Sequence, residues 1–130
     1  MDTRTYTLGP ASCRVRRTQA VPAHMREGIR ELASLQVPPA ERGKGYATTL
    51  VHKVCRDADA AGVVLVVWPQ PFGDVAMTAE QLQAWYGREF GFQVIQPEPV
   101  LMARPVDGTP RVLSLTPAAE AASLAARGLA

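Results

Sequence analysis

Apolar residues recur at two different spacings along the middle of the chain, and each spacing predicts a different element. Between residues 47 and 61 they lie three or four positions apart, which is the stripe of an amphipathic helix ending at Gly62. Residues 63–68 are all apolar, as in a central strand covered on both faces. Residues 29–37 form a predicted strand that stops at Pro38 and Pro39. The order strand, helix, strand predicts a right-handed crossover with a parallel strand pair.

A second helix and several shorter strands are predicted around this unit. Thr78 and Gln81 have the spacing of a capping box, and Gly91 ends the helix that they begin. Residues 92–95 and 100–104 predict a C-terminal pair of strands, and residues 5–8 and 13–18 are strand candidates. We expect one mixed α/β domain over residues 1–104, with a reduced half at 1–28 and a core at 29–104. In the extension, residues 105–130, an alanine-rich stretch predicts a short helix.

The composition is that of a globular protein and changes this picture little. The chain has 130 residues, 47% hydrophobic and 20% charged. No apolar run approaches the ~20 residues of a membrane helix, so a cytoplasmic protein without membrane contacts is expected. Cys13 and Cys55 lack the spacing of metal ligands, which predicts no metal site. The net charge is +2, but residues 1–30 hold six arginines against two acids, a basic edge that a solvated surface also explains.

The connection between the first predicted strand and helix, residues 37–47 with the sequence VPPAERGKGYA, suggests an anion site. Glycines allow close approach to the backbone, and the first-turn amides of a helix have no internal partners. The helix dipole favours a phosphate at the same point, and Arg42 and Lys44 add positive charge. An ordinary turn with two solvated cations is the alternative. The Walker spacing is absent, and Thr48 stands where a dinucleotide fingerprint needs glycine.

Two blocks of sequence resemble one known family. Arg42-x-x-Gly45-x-Ala47 resembles the pyrophosphate-binding signature of the GNAT superfamily of acetyl-CoA-dependent N-acetyltransferases. The block LQAWYGREFGF at residues 82–92 is similar to that family's later helix, which ends in a tyrosine, polar residues and Gly-Phe. The resemblance covers about residues 29–104, which would be the acetyl-CoA-binding core. It implies a GNAT-like fold whose parallel strands splay around acyl-CoA, flanked by helices, with an antiparallel strand pair at the C-terminal end.

The resemblance also implies where acetyl-CoA binds as the acyl donor. Amides around the glycines would hold the pyrophosphate, and amides at the end of the preceding strand would pair with the pantetheine arm. The implied cofactor-binding residues are Leu35, Gln36, Val37, Arg42, Gly43, Lys44, Gly45, Tyr46 and Ala47.

Two side chains are candidates for catalysis, each with a structural alternative. Tyr86 matches the family's tyrosine that protonates the departing sulfur, and otherwise it is a packed aromatic residue. Glu31 is placed like a general base of the histone-acetyltransferase branch, and strand alternation puts it on the face of Leu35. Otherwise Glu31 pairs with an arginine such as Arg30 or Arg16, and water deprotonates the amine.

Residues 1–28 are shorter than the acceptor-side half of full-length relatives. An open acceptor site that takes an amine of a small molecule or a protein is one consequence, and a homodimer that completes the pocket is another. The reduced half leaves a second hypothesis open, a non-catalytic acyl-CoA-binding or regulatory module. Nucleic-acid binding through Arg14, Arg16 and Arg17 is the least favoured hypothesis.

Overall fold

A computed structural model of the protein describes residues 1, 3–70 and 77–106. These residues form six strands and two α-helices. They are β1 Arg4–Leu8, β2 Ala11–Arg16, β3 Ile29–Gln36, α1 Tyr46–Ala61, β4 Val64–Val67, α2 Ala79–Phe90, β5 Gln93–Pro97 and β6 Val100–Arg104. Short 3-10 helices at Ala23–Gly28 and Pro39–Glu41 complete the described part. The alanine-rich helix predicted within residues 105–130 lies outside the described residues.

The six strands form one mixed sheet in the order β1-β2-β3-β4-β6-β5. β3 and β4 are parallel and are joined through α1, whereas every other neighbouring pair is antiparallel. The predicted α/β fold, with its parallel pair, flanking helices and C-terminal strand pair, is therefore confirmed. The sequence missed the 3-10 helix at Ala23–Gly28, and β5 begins and ends later than the predicted strand at residues 92–95.

Both helices begin and end where local sequence chemistry predicts. Thr78 and Gln81 form the complete capping box at the start of α2, and Gly91 ends that helix in the left-handed conformation. α1 lies between two left-handed glycines, Gly45 and Gly62. Its apolar stripe packs on the sheet as part of the main core: Leu50, Val51, Val54, Cys55 and Ala58.

β3 contains a bulge that corrects one prediction from strand alternation. Ser34 has a left-handed φ of 56°, and the register with β2 shifts by one residue at this point. Leu32 and Leu35 consequently lie in the same core cluster although they are three positions apart. Because the extra residue interrupts the period of two, the predicted placement of Glu31 on the face of Leu35 was wrong.

Candidate active site

A gap opens in the middle of the sheet, where β3 and β4 stop pairing. Their register covers only three residues on each strand, from Ile29 opposite Val64 to Glu31 opposite Val66. β3 continues to Gln36, however, and beyond the bulge it pairs with β2 in a register shifted by one residue. Beyond Glu31 on β3 and Val66 on β4, the facing edges of the two strands therefore present backbone N–H and C=O groups that the other strand does not bind.

A cavity of about 610 Å³ occupies this gap. Its walls include Leu35 from the main core cluster and Trp68, which packs against the smaller cluster on the other side. The cavity therefore passes between the parted strands and reaches both layers of the molecule. α2 closes one wall with Leu82, Trp85 and Tyr86.

The N-terminus of α1 faces one end of the cavity. The lining here consists of Gly43 together with residues 45–48. Gly43 and Gly45 have φ values of 80° and 84°, and a Cβ added at either would meet no atom within 4 Å. Glycine is thus required for its backbone conformation rather than for space. Gly45 provides no side-chain cap, so the first-turn amides of α1 point at the cavity without an internal partner.

The two cations of this loop are arranged differently from one another. The Arg42 Nε donates to the Val37 carbonyl at 3.0 Å, which ties the loop to the end of β3. The Lys44 Nζ lies 2.9 Å from the Glu41 carboxylate, at the surface. Arg42 and Glu41 line the cavity, whereas Lys44 and Gln36 are not among its described lining residues. The other implied cofactor-binding residues all line it: Leu35, Val37, Arg42, Gly43, Gly45, Tyr46 and Ala47.

Tyr86 reaches the cavity from α2. The residue is 3% exposed, and burial raises the pKa of its hydroxyl, with smaller contributions from Cys13 and Cys55. Its hydroxyl makes no hydrogen bond with the described residues. Every fully buried side-chain polar atom of those residues has a hydrogen-bond partner, so the Tyr86 hydroxyl keeps some contact with open space. The Tyr86 side chain lines the cavity, and its raised pKa keeps the hydroxyl protonated and able to donate a hydrogen bond.

Glu31 lies in the cavity wall within a small polar cluster. Two guanidinium nitrogens of Arg16 contact the Glu31 Oε2 at 2.8 and 2.6 Å, and the Thr18 hydroxyl donates to Oε1 at 3.0 Å. The structure thus shows the arginine pairing considered as the alternative for this residue. A carboxylate oxygen accepts two hydrogen bonds, so acceptor capacity remains on Oε1.

Sequence reasoning missed several residues of this site. Thr18 is one of them, because its contact with Glu31 depends on how β2 pairs with β3, whereas Arg16 was named as a possible partner of Glu31. No signal announces Ser34, since serine rarely marks a left-handed bulge. Among the described residues, no group of three or more His, Cys, Asp or Glu could hold a metal ion. None of their helices is long and apolar enough to cross a membrane.

Comparison with known proteins identifies the fold. A model of the acetyltransferase (GNAT) family matches residues 8–92. The anti-CRISPR protein AcrVA5 is similar in structure, with a TM-score of 0.58 and 15% identity, over 79% of this chain and 98% of that one. No curated protein matches the sequence.

Longer acetyltransferases share the same core. The GNAT-family N-acetyltransferase YhbS from Escherichia coli, solved in complex with CoA, has a TM-score of 0.53 and 19% identity over 80% of this chain and 57% of its own. A GNAT-family protein from Desulfovibrio desulfuricans has a TM-score of 0.51 and 18% identity over 75% of this chain and 61% of its own. The family model covers well over half of the sequence, and the resemblance found in the sequence is confirmed. The chain belongs to the GNAT family of acetyltransferases, in which acyl transfer is the class of reaction.

Proposed function

We propose that this protein transfers an acetyl group from acetyl-CoA directly to an amine of a small molecule or a protein. One observation carries the proposal: the cavity in the gap between β3 and β4 is lined by the start of α1, with its unpaired amides, and by Tyr86. One side of the cavity thus suits a diphosphate, and the other side carries a proton donor. Family membership and the CoA complex of YhbS support the same donor.

Backbone groups of this chain would hold the donor. The amides between Gly43 and Thr48 would bind its pyrophosphate, with the dipole of α1 adding partial positive charge. The edge of β3 near Leu35 and Val37 would pair with the pantetheine amides as an additional strand. Acetyl-CoA supplies the activated acyl group.

The remaining residues would manage two protons during transfer. The amine nitrogen forms a bond to the acetyl carbon as the bond from that carbon to sulfur breaks. Oε1 of Glu31, directly or through a water molecule, takes the proton that the amine loses and passes it to solvent. The departing CoA thiolate takes a proton from water, so that the CoA thiol is the second product. Tyr86 donates a hydrogen bond to the departing sulfur. Its raised pKa keeps the hydroxyl protonated and disfavours complete loss of its proton.

Calorimetry with CoA and two variants of Gly45 tests the binding site. Gly45→Ala and Gly45→Glu impose the same backbone strain at φ 84°, but only glutamate places a negative charge beside the proposed diphosphate. We expect alanine to weaken CoA binding modestly and glutamate to weaken it at least about tenfold more, which is about 1.4 kcal/mol. Equal CoA affinities of the two variants would refute the placement of the diphosphate beside Gly45. A wild-type protein that does not bind CoA would refute the proposed acetyl transfer.

Turnover separates the enzyme from the alternative, a non-catalytic acyl-CoA-binding module. The alternative draws support from Glu31, whose carboxylate is already paired with Arg16. Release of the CoA thiol in the presence of a panel of amines, with acetylated product identified by mass spectrometry, supports the enzyme. Tight CoA binding without product from any amine supports the module. The homodimer stays a prediction, which sedimentation of the purified chain checks.

A further inference from the structure

One face of β1 and β2 is open and carries unused positive charge. Along β2 the alternate residues Cys13 and Val15 point into the main core, so their neighbours point to the other side of the sheet. Most of the side chains on that other side are exposed: Thr5, Thr7, Arg14 and Arg16, with Ser12 partly buried. We call these five residues the open face.

Arg16 joins the open face to the cavity. Its Cα is the register partner of Glu31, and its side chain lines the cavity while remaining 47% exposed. A guanidinium has five N–H donors. In Arg16, the Nε and one terminal nitrogen contact the Glu31 carboxylate. The remaining donors stay in contact with solvent at the mouth of the cavity.

Arg14 lies beside the same mouth. It is the register partner of Ala33, which lines the cavity, and its side chain is exposed. Neither Arg14 nor the adjacent Arg17 forms an ion pair with any residue that the structure describes. Arg14 and Arg16 against the single carboxylate of Glu31 therefore leave a local charge of +1 on this side of the sheet (2 − 1). A small monoamine has no anionic group that could pair with this positive charge.

We propose that the acceptor is an amine carried by an acidic peptide segment, which lies across the open face and places its carboxylates on Arg14 and Arg16. The proposal rests on the proposed acetyl transfer and names its substrate class. Arginine binds carboxylates with two parallel hydrogen bonds, which fixes orientation as well as charge. A peptide held there presents its amine to the cavity beside Glu31.

A pair of lysine peptides tests the proposal. One carries aspartate and glutamate around the lysine, and the other carries asparagine and glutamine at the same positions. Carboxylate contacts to two exposed arginines predict about a tenfold higher kcat/KM for the acidic peptide. The preference should shrink as salt is raised, because salt screens exposed charges.

Charge reversal at Arg14 supplies the matched comparison. Arg14→Glu should abolish the preference for the acidic peptide and favour a lysine peptide with basic neighbours. Arg56→Glu makes the same change at an exposed position of α1, away from the open face, and should keep the wild-type preference. Equal use of the acidic and neutral peptides by the wild type, or an unchanged preference in Arg14→Glu, would overturn the proposal.

Two further measurements distinguish a failure of the acidic-peptide proposal from a failure of the proposed acetyl transfer. Absence of CoA binding in calorimetry removes acetyl transfer itself, whereas CoA binding and transfer without flank preference remove only the peptide proposal. Fluorescence anisotropy of labelled peptides reports the same preference without turnover, so an inactive protein still gives an answer. A labelled single-stranded oligonucleotide that binds tighter than the acidic peptide, and loses binding in Arg14→Glu, would reassign the open face to nucleic acid.

Discussion

Two of the arginine–carboxylate pairs among the described residues lie in contrasting surroundings. Arg104 of β6 binds both oxygens of Asp59 at 2.6 and 3.1 Å and donates to the Phe90 carbonyl, with its side chain only 10% exposed. Arg16 binds a single oxygen of Glu31, and its side chain is 47% exposed. We call the packing of α1 and the C-terminal end of α2 against the sheet the closed region. The cavity between β3 and β4 is the open region.

This difference separates stability from function. In the closed region the protein itself surrounds the charges, and the pair fastens β6 to α1 and to the end of α2. In the open region water reaches the arginine, and the carboxylate stands in a cavity wall. Changes in the closed region should therefore unfold the protein, and changes in the open region should alter its chemistry.

Among the substitutions, the largest expected effect comes from Asp59→Asn. The substitution leaves the buried Arg104 charge without its carboxylate, which costs about 3–5 kcal/mol of unfolding free energy. Glu31→Gln should cost only about 1 kcal/mol, because solvent reaches Arg16. Urea denaturation of the two variants beside the wild type measures the difference. Similar losses in both would show that the two regions do not differ in the way described.

The next effect belongs to the open region. Glu31→Gln keeps the shape and the Thr18 hydrogen bond but removes the proton acceptor, so kcat should fall about 100-fold with little change in CoA affinity. The loss should shrink at higher pH, where more of the amine is neutral. Asp59→Asn, measured per folded molecule, should keep its turnover. An unchanged kcat in Glu31→Gln would assign the proton to water and leave Glu31 a structural partner of Arg16.

The closed region was largely predictable from sequence, because its elements are specified locally. The apolar stripe of α1, the left-handed Gly62 and the capping box at Thr78 and Gln81 all depend on neighbours within a few positions. The phosphate end of the open region was predictable for the same reason, since Gly43 and Gly45 adjoin a helix start. The anion-binding role of that end stays a prediction.

The acceptor side was not predictable, because it depends on tertiary register. The bulge at Ser34 changes which side of β3 each residue faces, and no residue type there announces it. Arg16, Thr18 and Glu31 come together only when β2 pairs with β3. Chain spacing could name an arginine partner for Glu31 but could not choose between Arg16 and Arg30.

Alkaline pH should destabilise the closed region progressively. Burial raises the pKa of Cys13 from 9.0 to about 12 and that of Cys55 from 9.0 to about 11. Above pH 9 the unfolded thiols lose protons that the folded protein retains, so stability is complete below pH 9 and declines as the pH rises toward 11–12. The expected slope is about 1.4 kcal/mol per pH unit for each thiol. Denaturation from pH 8 to 11 should show a shallower decline in Cys13→Ala than in the wild type, and equal slopes would exclude this origin.

The smallest effects come from two buried tyrosines, Tyr6 and Tyr86, that differ in whether the hydroxyl has a hydrogen-bond partner among the described residues. The Tyr6 hydroxyl donates to Asp57 at 2.8 Å, whereas the Tyr86 hydroxyl has no hydrogen-bond partner among the described residues. Tyr6→Phe should lower the unfolding free energy by about 1 kcal/mol and leave turnover unchanged. Tyr86→Phe breaks no hydrogen bond in the described structure and should change stability by less than about 0.5 kcal/mol.

Turnover should show the opposite pattern for the same pair. A hydrogen bond from Tyr86 to the departing sulfur, without full proton transfer, is worth about 1–1.5 kcal/mol, so Tyr86→Phe should lower kcat about tenfold. Thiol release at saturating acetyl-CoA measures kcat, and urea denaturation of the same samples measures stability. A Tyr86→Phe variant that loses stability and keeps its turnover would make Tyr86 a core residue like Tyr6. The departing sulfur would then need a different hydrogen-bond donor. α2 would in that case belong to the closed region alone, without a residue that acts in turnover.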